Sequence, residues 1–170
     1  MAQIEFKDYS IEVKNALKSL AYKAVEEACG ELESQTKQNT VTKSSTTKNA
    51  WTHNVKASKD ETTGTVGNPL ENAIWEEFGT GTWALNGDGR QGYWVFVDDG
   101  DSSDSSASKN TTKSYTLKEA KKVVAILRSK GKNAYYTNGK EPRRAFWKAY
   151  TTLKNKLIKQ MQDIFKGGLS

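Results

Sequence analysis

Residues that could do chemistry stand at several places in this chain. Gly87-Asp88-Gly89-Arg90-Gln91-Gly92 spells G-x-G-x-x-G, the turn that presents a dinucleotide's pyrophosphate to a helix N-terminus. That chemistry needs a strand before the glycines and a helix after them. Here a strand signal, Tyr93–Val97, follows, so the order supports a hairpin loop. Asp98, Asp99, Asp101 and Asp104 have the oxygen ligands of a calcium loop. A calcium hand also needs a sixth-position glycine and a twelfth-position glutamate. Counted from Asp98, Gly100 comes too early and the twelfth residue is Lys109, so a solvated acidic loop is expected. Glu76 and Glu77 are adjacent. On a helix they point about 100° apart and cannot share one substrate. His53 is the only histidine and Cys29 the only cysteine, too few for a triad, a histidine metal site or an internal disulfide. Cys29, beside Ala28 in a helical pattern, reads as buried filler. The expectation is a protein without enzymatic activity, catalytic residue, metal or cofactor, whose function lies in its surfaces.

The bulk properties narrow the class. A length of 170 residues predicts one domain. Hydrophobic residues make up 35% and mean hydropathy is −0.77, so part of the chain should be loop. No run of about 18 apolar residues exists to cross a membrane. The N-terminus lacks the apolar core of a signal peptide, which predicts a cytoplasmic site of synthesis and residence. The net charge of +6 is unevenly spread: residues 1–112 hold 11 Lys+Arg against 17 Asp+Glu, and residues 113–170 hold 15 against 3. Such a partition suits copies that meet head to tail, acidic face on basic face.

The basic side chains raise a nucleic-acid reading. Arg143, Arg144, Lys148, Lys154, Lys156, Lys159 and Lys166 join Lys121, Lys122, Arg128, Lys130 and Lys132, with Trp147, Tyr135 and Tyr136 as stacking surfaces. The competing reading is that lysines cover the exposed flank of amphipathic helices. No zinc-finger or RNP-type motif accompanies them, which favours a protein interface with passive contact to passing DNA.

The elements that must position these residues follow from periodicity. Residues 8–38 predict a long amphipathic helix with Val13, Leu17, Leu20, Ala24, Ala28 and Leu32 on one face, capped by Asp8 or Ser10 and bent or ended at Gly30. Residues 39–50 read as a flexible polar loop and 50–67 as a β-hairpin. A short helix from Pro69 stops at Gly79. Residues 80–92 read as a glycine-rich loop and Tyr93–Val97 as a strand. An acidic loop and a helix over 116–130 form an insertion spanning 98–132, with Thr116 and Glu119 as a capping box. A short strand at 134–137 precedes a final helix over 142–165, whose stripe is Phe146, Tyr150, Leu153, Leu157, Met161 and Ile164. The fold class is α+β: a small antiparallel sheet packed against long N- and C-terminal helices, with an inserted helix.

Two short motifs stand out from this frame: Ile74-Trp75-Glu76-Glu77-Phe78-Gly79-Thr80-Gly81-Thr82, and Asn138-Gly139-Lys140-Glu141-Pro142-Arg143-Arg144-Ala145-Phe146-Trp147-Lys148-Ala149. Through them, and through the order of elements over most of residues 8–165, the chain resembles the head–tail joining, or tail-completion, family of long-tailed bacteriophages. Those proteins share an apolar-Glu-Phe-Gly-Thr motif and a Pro-x-x-Phe-type motif opening a C-terminal helix. Members often carry a second proline before the Phe, where this chain has Ala145. The resemblance implies a virion structural protein of the neck, a tail terminator that caps the tail tube and joins it to the head connector or stopper as a sixfold ring of identical copies. A stopper or adaptor subunit is the alternative within that class, and a small basic nucleic-acid-binding protein the alternative outside it. The motifs place the interface at Trp75, Glu77, Phe78, Gly79, Thr80, Gly81, Trp83, Arg90, Pro142, Arg143, Arg144, Phe146 and Trp147. The Phe-Gly-Thr turn is expected to aim a flexible Gly81–Gly92 loop at a tube subunit.

Overall fold

The computed structural model describes residues 8–41, 45–98 and 113–168. Its elements are α1 (Ser10–Asn39), α2 (Ser45–Asn49), β1 (Thr52–Ala57), β2 (Thr62–Gly67), α3 (Glu71–Phe78), a 3-10 turn (Gly81–Trp83), β3 (Trp94–Val97), α4 (Leu117–Ser129), β4 (Ala134–Thr137) and α5 (Ala145–Gly168). The α+β class and the two long terminal helices match expectation. The strands form two antiparallel pairs, β1–β2 and β3–β4. Where length predicts one domain, the chain forms two compact units: α1, α2, β1, β2 and α5 make the first, and residues 71–144 the second. The middle segment closes on its own apolar cluster, which is what lets it form a body of its own.

In the first unit α1 packs along α5, and the β1–β2 hairpin lies on α1. Small residues hold the two helices close: Ala24, Ala145 and Ala149 are buried, with Leu153 and Leu157 further along. Leu153 and Leu157 are buried as expected, while in the first turns the stripe moves by one position, from Phe146 and Tyr150 to Ala145 and Ala149. Tyr150 is exposed, and Phe146, Met161 and Ile164 are half-buried. Lys156 pairs with Glu31 across the two helices and, against burial, holds the Glu31 carboxyl below its ordinary range. Helix α1 runs unbroken through Gly30. Packing along its length outweighs the cost of about 1 kcal/mol for an interior glycine. Asp8 accepts from the Ser10 N–H at 2.9 Å, but the N-cap residue is Tyr9, without a side-chain cap.

Residues 45–49, expected as loop, form the one-turn helix α2. Thr47 is buried and its carbonyl accepts from Asn68 Nδ2 at 2.8 Å. A backbone satisfied from a distant side chain escapes a propensity reading. Trp51 is the other anchor. Its indole N–H donates to Thr40 Oγ1 at 3.0 Å, and the Thr40 hydroxyl donates to the Thr36 carbonyl at 2.7 Å. Its ring stacks on Phe146 at 6.0 Å. One side chain thus ties the end of α1 to the start of α5. The hairpin closes onto α1 where β2 has no side chain: a Cβ on Gly64 would strike Cys29 Sγ and Val25.

His53 on β1 sits between two carboxylates of α1, 2.5 Å from Glu33 and 3.2 Å from Glu26. Lys37 meets Glu33 at 2.5 Å from the other side. The Glu33 hydrogen bond lifts the imidazole above its ordinary 6.5 despite burial, and Glu26 adds to the lift. Burial pushes Glu33 up, but hydrogen bonds and charges from Lys37 and His53 outweigh it and hold the carboxyl below 4.5.

In the second unit β3 and β4 pair in the register Val95↔Tyr136 and Val97↔Ala134. Val95 and Ala134 bury against Ala120 and Val124 of α4. The capping box forms as expected: the Thr116 N–H donates to Glu119 Oε2 at 2.9 Å, and the Glu119 N–H donates back to Thr116 Oγ1 at 3.4 Å. Asp99, Asp101 and Asp104 of the expected acidic loop lie outside the described residues.

The His53 cluster predicts a pH profile. A raised histidine stabilises the fold when protonated, so its contribution is full below about 6.5 and is lost as pH rises through the folded value. A depressed Glu33 contributes above about 4.5 and loses that as pH falls through its folded value. In urea unfolding series, the stability difference between wild type and His53→Gln should therefore be largest between those two ranges and shrink on both sides. A pH-independent difference would remove the ion-pair account.

Candidate functional site

The Asn68 side chain accepts from the Leu70 N–H at 3.0 Å and, with Pro69, turns the chain into α3. Glu71 in the first turn suits the positive helix end. Gly79 ends the helix with φ +75°, and its N–H donates to the Trp75 carbonyl at 2.9 Å. Helix α3 is turned inside out. Ala73 is buried and the Glu76 side chain is 18% exposed. Ile74, Trp75 and Phe78 are 58%, 45% and 43% exposed and lie within about 100° of arc on the other side. Covering such side chains contributes about 1.5–3 kcal/mol each, so an uncovered group of them marks a contact surface.

The first sequence motif and the opening of the second, Asn138–Arg144, meet inside this unit. The Thr80 N–H donates to the Lys140 carbonyl at 2.9 Å, and the Lys140 N–H donates back to Thr80 O at 3.3 Å and to Thr80 Oγ1 at 3.0 Å. The Thr82 N–H and hydroxyl both donate to the Asn138 carbonyl, at 2.9 and 3.1 Å. Asn138 Nδ2 donates to Thr82 Oγ1 at 3.1 Å. The backbones approach too closely for side chains. Gly81 has φ +62° and Gly139 φ +122°. A Cβ on Gly81 would run into the Asn138 carbonyl, and one on Gly139 into the Thr80 carbonyl. A Cβ on Gly79 would lie 2.8 Å from Trp83 O and 2.9 Å from Lys140 O.

Glu76 binds this junction. Its carbonyl accepts from the Arg143 N–H at 2.7 Å and from the Arg144 N–H at 3.4 Å. Its carboxylate pairs with Lys140 Nζ, and Arg143 Nε stands 3.4 Å from Oε2. Oε2 is buried and lacks an aligned hydrogen bond, so Arg143 acts on it through charge alone. These bonds explain why α5 starts at Ala145 and not at Pro142. Arg144 takes φ +56°, which no helix can continue.

The structure sorts the expected interface residues. Trp75, Phe78, Gly79, Thr80, Gly81, Trp83, Pro142 and Arg143 gather at or beside the junction, with Trp83 exposed. Glu77 is partly buried on α3, and Glu76, passed over in the sequence, holds the ion pairs. The signal was its position: three residues after the buried Ala73, on the helix side away from the aromatics. Arg90 braces the unit itself, donating to the Lys113 carbonyl at 2.7 Å and lying 5.0 Å from the Trp94 ring centre. The Gly81–Gly92 loop is tied as well, through the Leu85 N–H to Phe78 O at 2.9 Å. Phe146 belongs to the first unit, stacked on Trp51, and Trp147 is exposed there on α5.

The basic residues are divided in the same way. Arg128 lies over Tyr135 at 5.4 Å, and Lys156 pairs with Glu31. Cys29 is buried, and burial followed by Glu26 pushes its thiol up, so it stays protonated and weakly nucleophilic. Among the described residues no group of His, Cys, Asp or Glu is placed to hold a metal ion. The site offers the exposed side chains of Ile74, Trp75 and Phe78 on one face of α3. Comparison with family models, with curated proteins and with solved structures returns no match.

The junction can be tested at its glycines. Gly81→Ala adds a carbonyl collision to left-handed strain and should cost about 2–4 kcal/mol. Gly87→Ala, with φ +74° but open space around it, should cost about 1 kcal/mol. Equal midpoints for the two variants in urea unfolding would show that the close approach is not holding the unit.

Proposed function

We propose that this chain is a structural protein of the bacteriophage neck, a tail terminator that assembles as a ring, caps the tail tube and meets the head connector. The observation that supports it is the inside-out α3. The helix points Ile74, Trp75 and Phe78 outward while Glu76 binds it to the Asn138–Arg143 segment. The first motif that carries the resemblance to the tail-completion family and the opening of the second, Asn138–Arg144, are therefore bound together in one unit. A rigid projection with an uncovered apolar face suits a subunit that finds its partners in a larger assembly. The sixfold order is the family's implication, matching a sixfold tail tube, and the place of action is the head–tail junction of the virion.

Part of the charge partition between the sequence halves is already paired within the chain. Folding sets acidic residues from the first half beside basic residues from the second, as in Glu31 with Lys156 and Glu76 with Lys140. Assembly would then rest more on apolar cover than on opposed charged halves.

Light scattering and negative-stain imaging of the purified chain, alone and with tail-tube protein, test the proposal. Closed rings seated on tube ends are expected. Trp75→Ala with Phe78→Ala should remove at least about tenfold of the capping affinity and leave the urea midpoint near wild type. A chain that stays monomeric, ignores tubes and binds DNA with steep salt dependence would be a nucleic-acid-binding protein instead.

A further inference from the structure

The α3 projection has a matching surface elsewhere on the chain. The apolar seam of α1 is covered by α5 only as far as Leu20, where a side chain on Gly168 would strike the leucine. Above that point, among the described residues, the seam stays exposed for about three turns. Tyr9, Val13 and Leu17 are all exposed. Beside them a hollow of about 320 Å³ opens between Lys14, Leu17, Lys18, Ala21, Phe165 and the hairpin turn at Ser58–Thr62. Its floor is apolar, and Lys14 and Lys18 stand one helical turn apart on its α1 side.

We infer that this hollow receives α3 of a second copy of the chain, with Trp75 in the hollow and Ile74 and Phe78 on the uncovered seam. Three observations on the two surfaces fit. The receiving seam is continuous with the established α1–α5 interface, so its geometry is already that of a helix-packing groove. Helix α3 carries Glu71, Glu76 and Glu77 and no basic residue, whereas α1 presents Lys14 and Lys18 at the hollow. Glu71 lies in the middle of the exposed α3 face, between Ile74, Phe78 and Trp75 in the helical projection, where it can reach those lysines. Lys59, Asp60 and Glu61 on the hairpin rim partly offset one another, which leaves the lysines of α1 to set the local sign. An aromatic anchor filling a pocket beside a charge pair is the usual composition of an interface hot spot. The two patches differ, so the contact is heterologous: each copy offers a projection and a hollow, and repetition gives a closed ring or an open filament.

The inference rests on reading the α3 face as an assembly surface, as in the proposed function, and its test uses the purified chain alone. Two variants are made, Trp75→Ala, which loses the projection but keeps the hollow, and Lys14→Glu with Lys18→Glu, which does the reverse. Sedimentation should show wild type associating with concentration, and each variant weakened by at least about tenfold. An equimolar mixture of the two variants should form a 1:1 dimer that grows no further, because one productive contact remains. Glu71→Lys serves as a second projection variant if Trp75→Ala unfolds. Folded variants that associate as wild type does, a mixture that stays monomeric, or a monomeric wild type would each overturn the inference. Tube capping at wild-type level by the Lys14→Glu, Lys18→Glu variant would leave the neck proposal standing and remove this contact from it.

Discussion

Much of the second unit depends on two backbones lying closer than side chains allow. Thr80–Thr82 and Asn138–Lys140 exchange backbone hydrogen bonds across a junction that only hydrogen atoms at Gly81 and Gly139 can occupy. That exchange brings the end of α3 against the segment leading to α5. It also satisfies polar groups that would otherwise be stranded in a turn-rich region. The cost is local rigidity and left-handed backbone at Gly79, Gly81, Gly139 and Arg144. Strain of this kind persists where surrounding contacts over-determine it, and here Glu76 supplies them from both its carbonyl and its carboxylate.

The same junction sets the orientation of α3. Because Glu76 turns inward to Lys140 and Arg143, the helix cannot also turn Ile74, Trp75 and Phe78 inward. An eight-residue helix has one buried side, and the ion pairs and Ala73 occupy it. The exposed aromatic face follows from the clamp. It gives the unit a projecting surface whose shape is fixed before any partner arrives, which lowers the ordering cost of association.

The first unit follows a different rule. Its interior is built from small side chains and threonine relays, with Thr36 fully buried and Trp51 as the large anchor. The last described residue of α5, Gly168, lies against Leu20, which leaves the first turns of α1 exposed. The hairpin is held by the His53 cluster and by the missing side chain of Gly64.

Local rules made several features legible in the residues themselves. The long helices, the hairpin, the capping box at Thr116 and the stop at Gly79 depend on periodicity and on single-residue conformational preferences. The two motifs around Phe78 and Pro142 were also visible as unusual strings. Other features needed the folded chain. The pairing of Thr80 with Lys140 spans 60 residues, and no local preference encodes it. Helix α2 exists around a carbonyl satisfied by Asn68, and α5 begins late because Arg143 and Arg144 donate to Glu76. The choice between Glu76 and Glu77 turned on which one faces Lys140. Hydrophobic type could not say that Trp75 lies outside while Ala73 lies inside. Burial is a property of what surrounds a residue, and for α3 it was set by an ion pair formed from the far end of the unit.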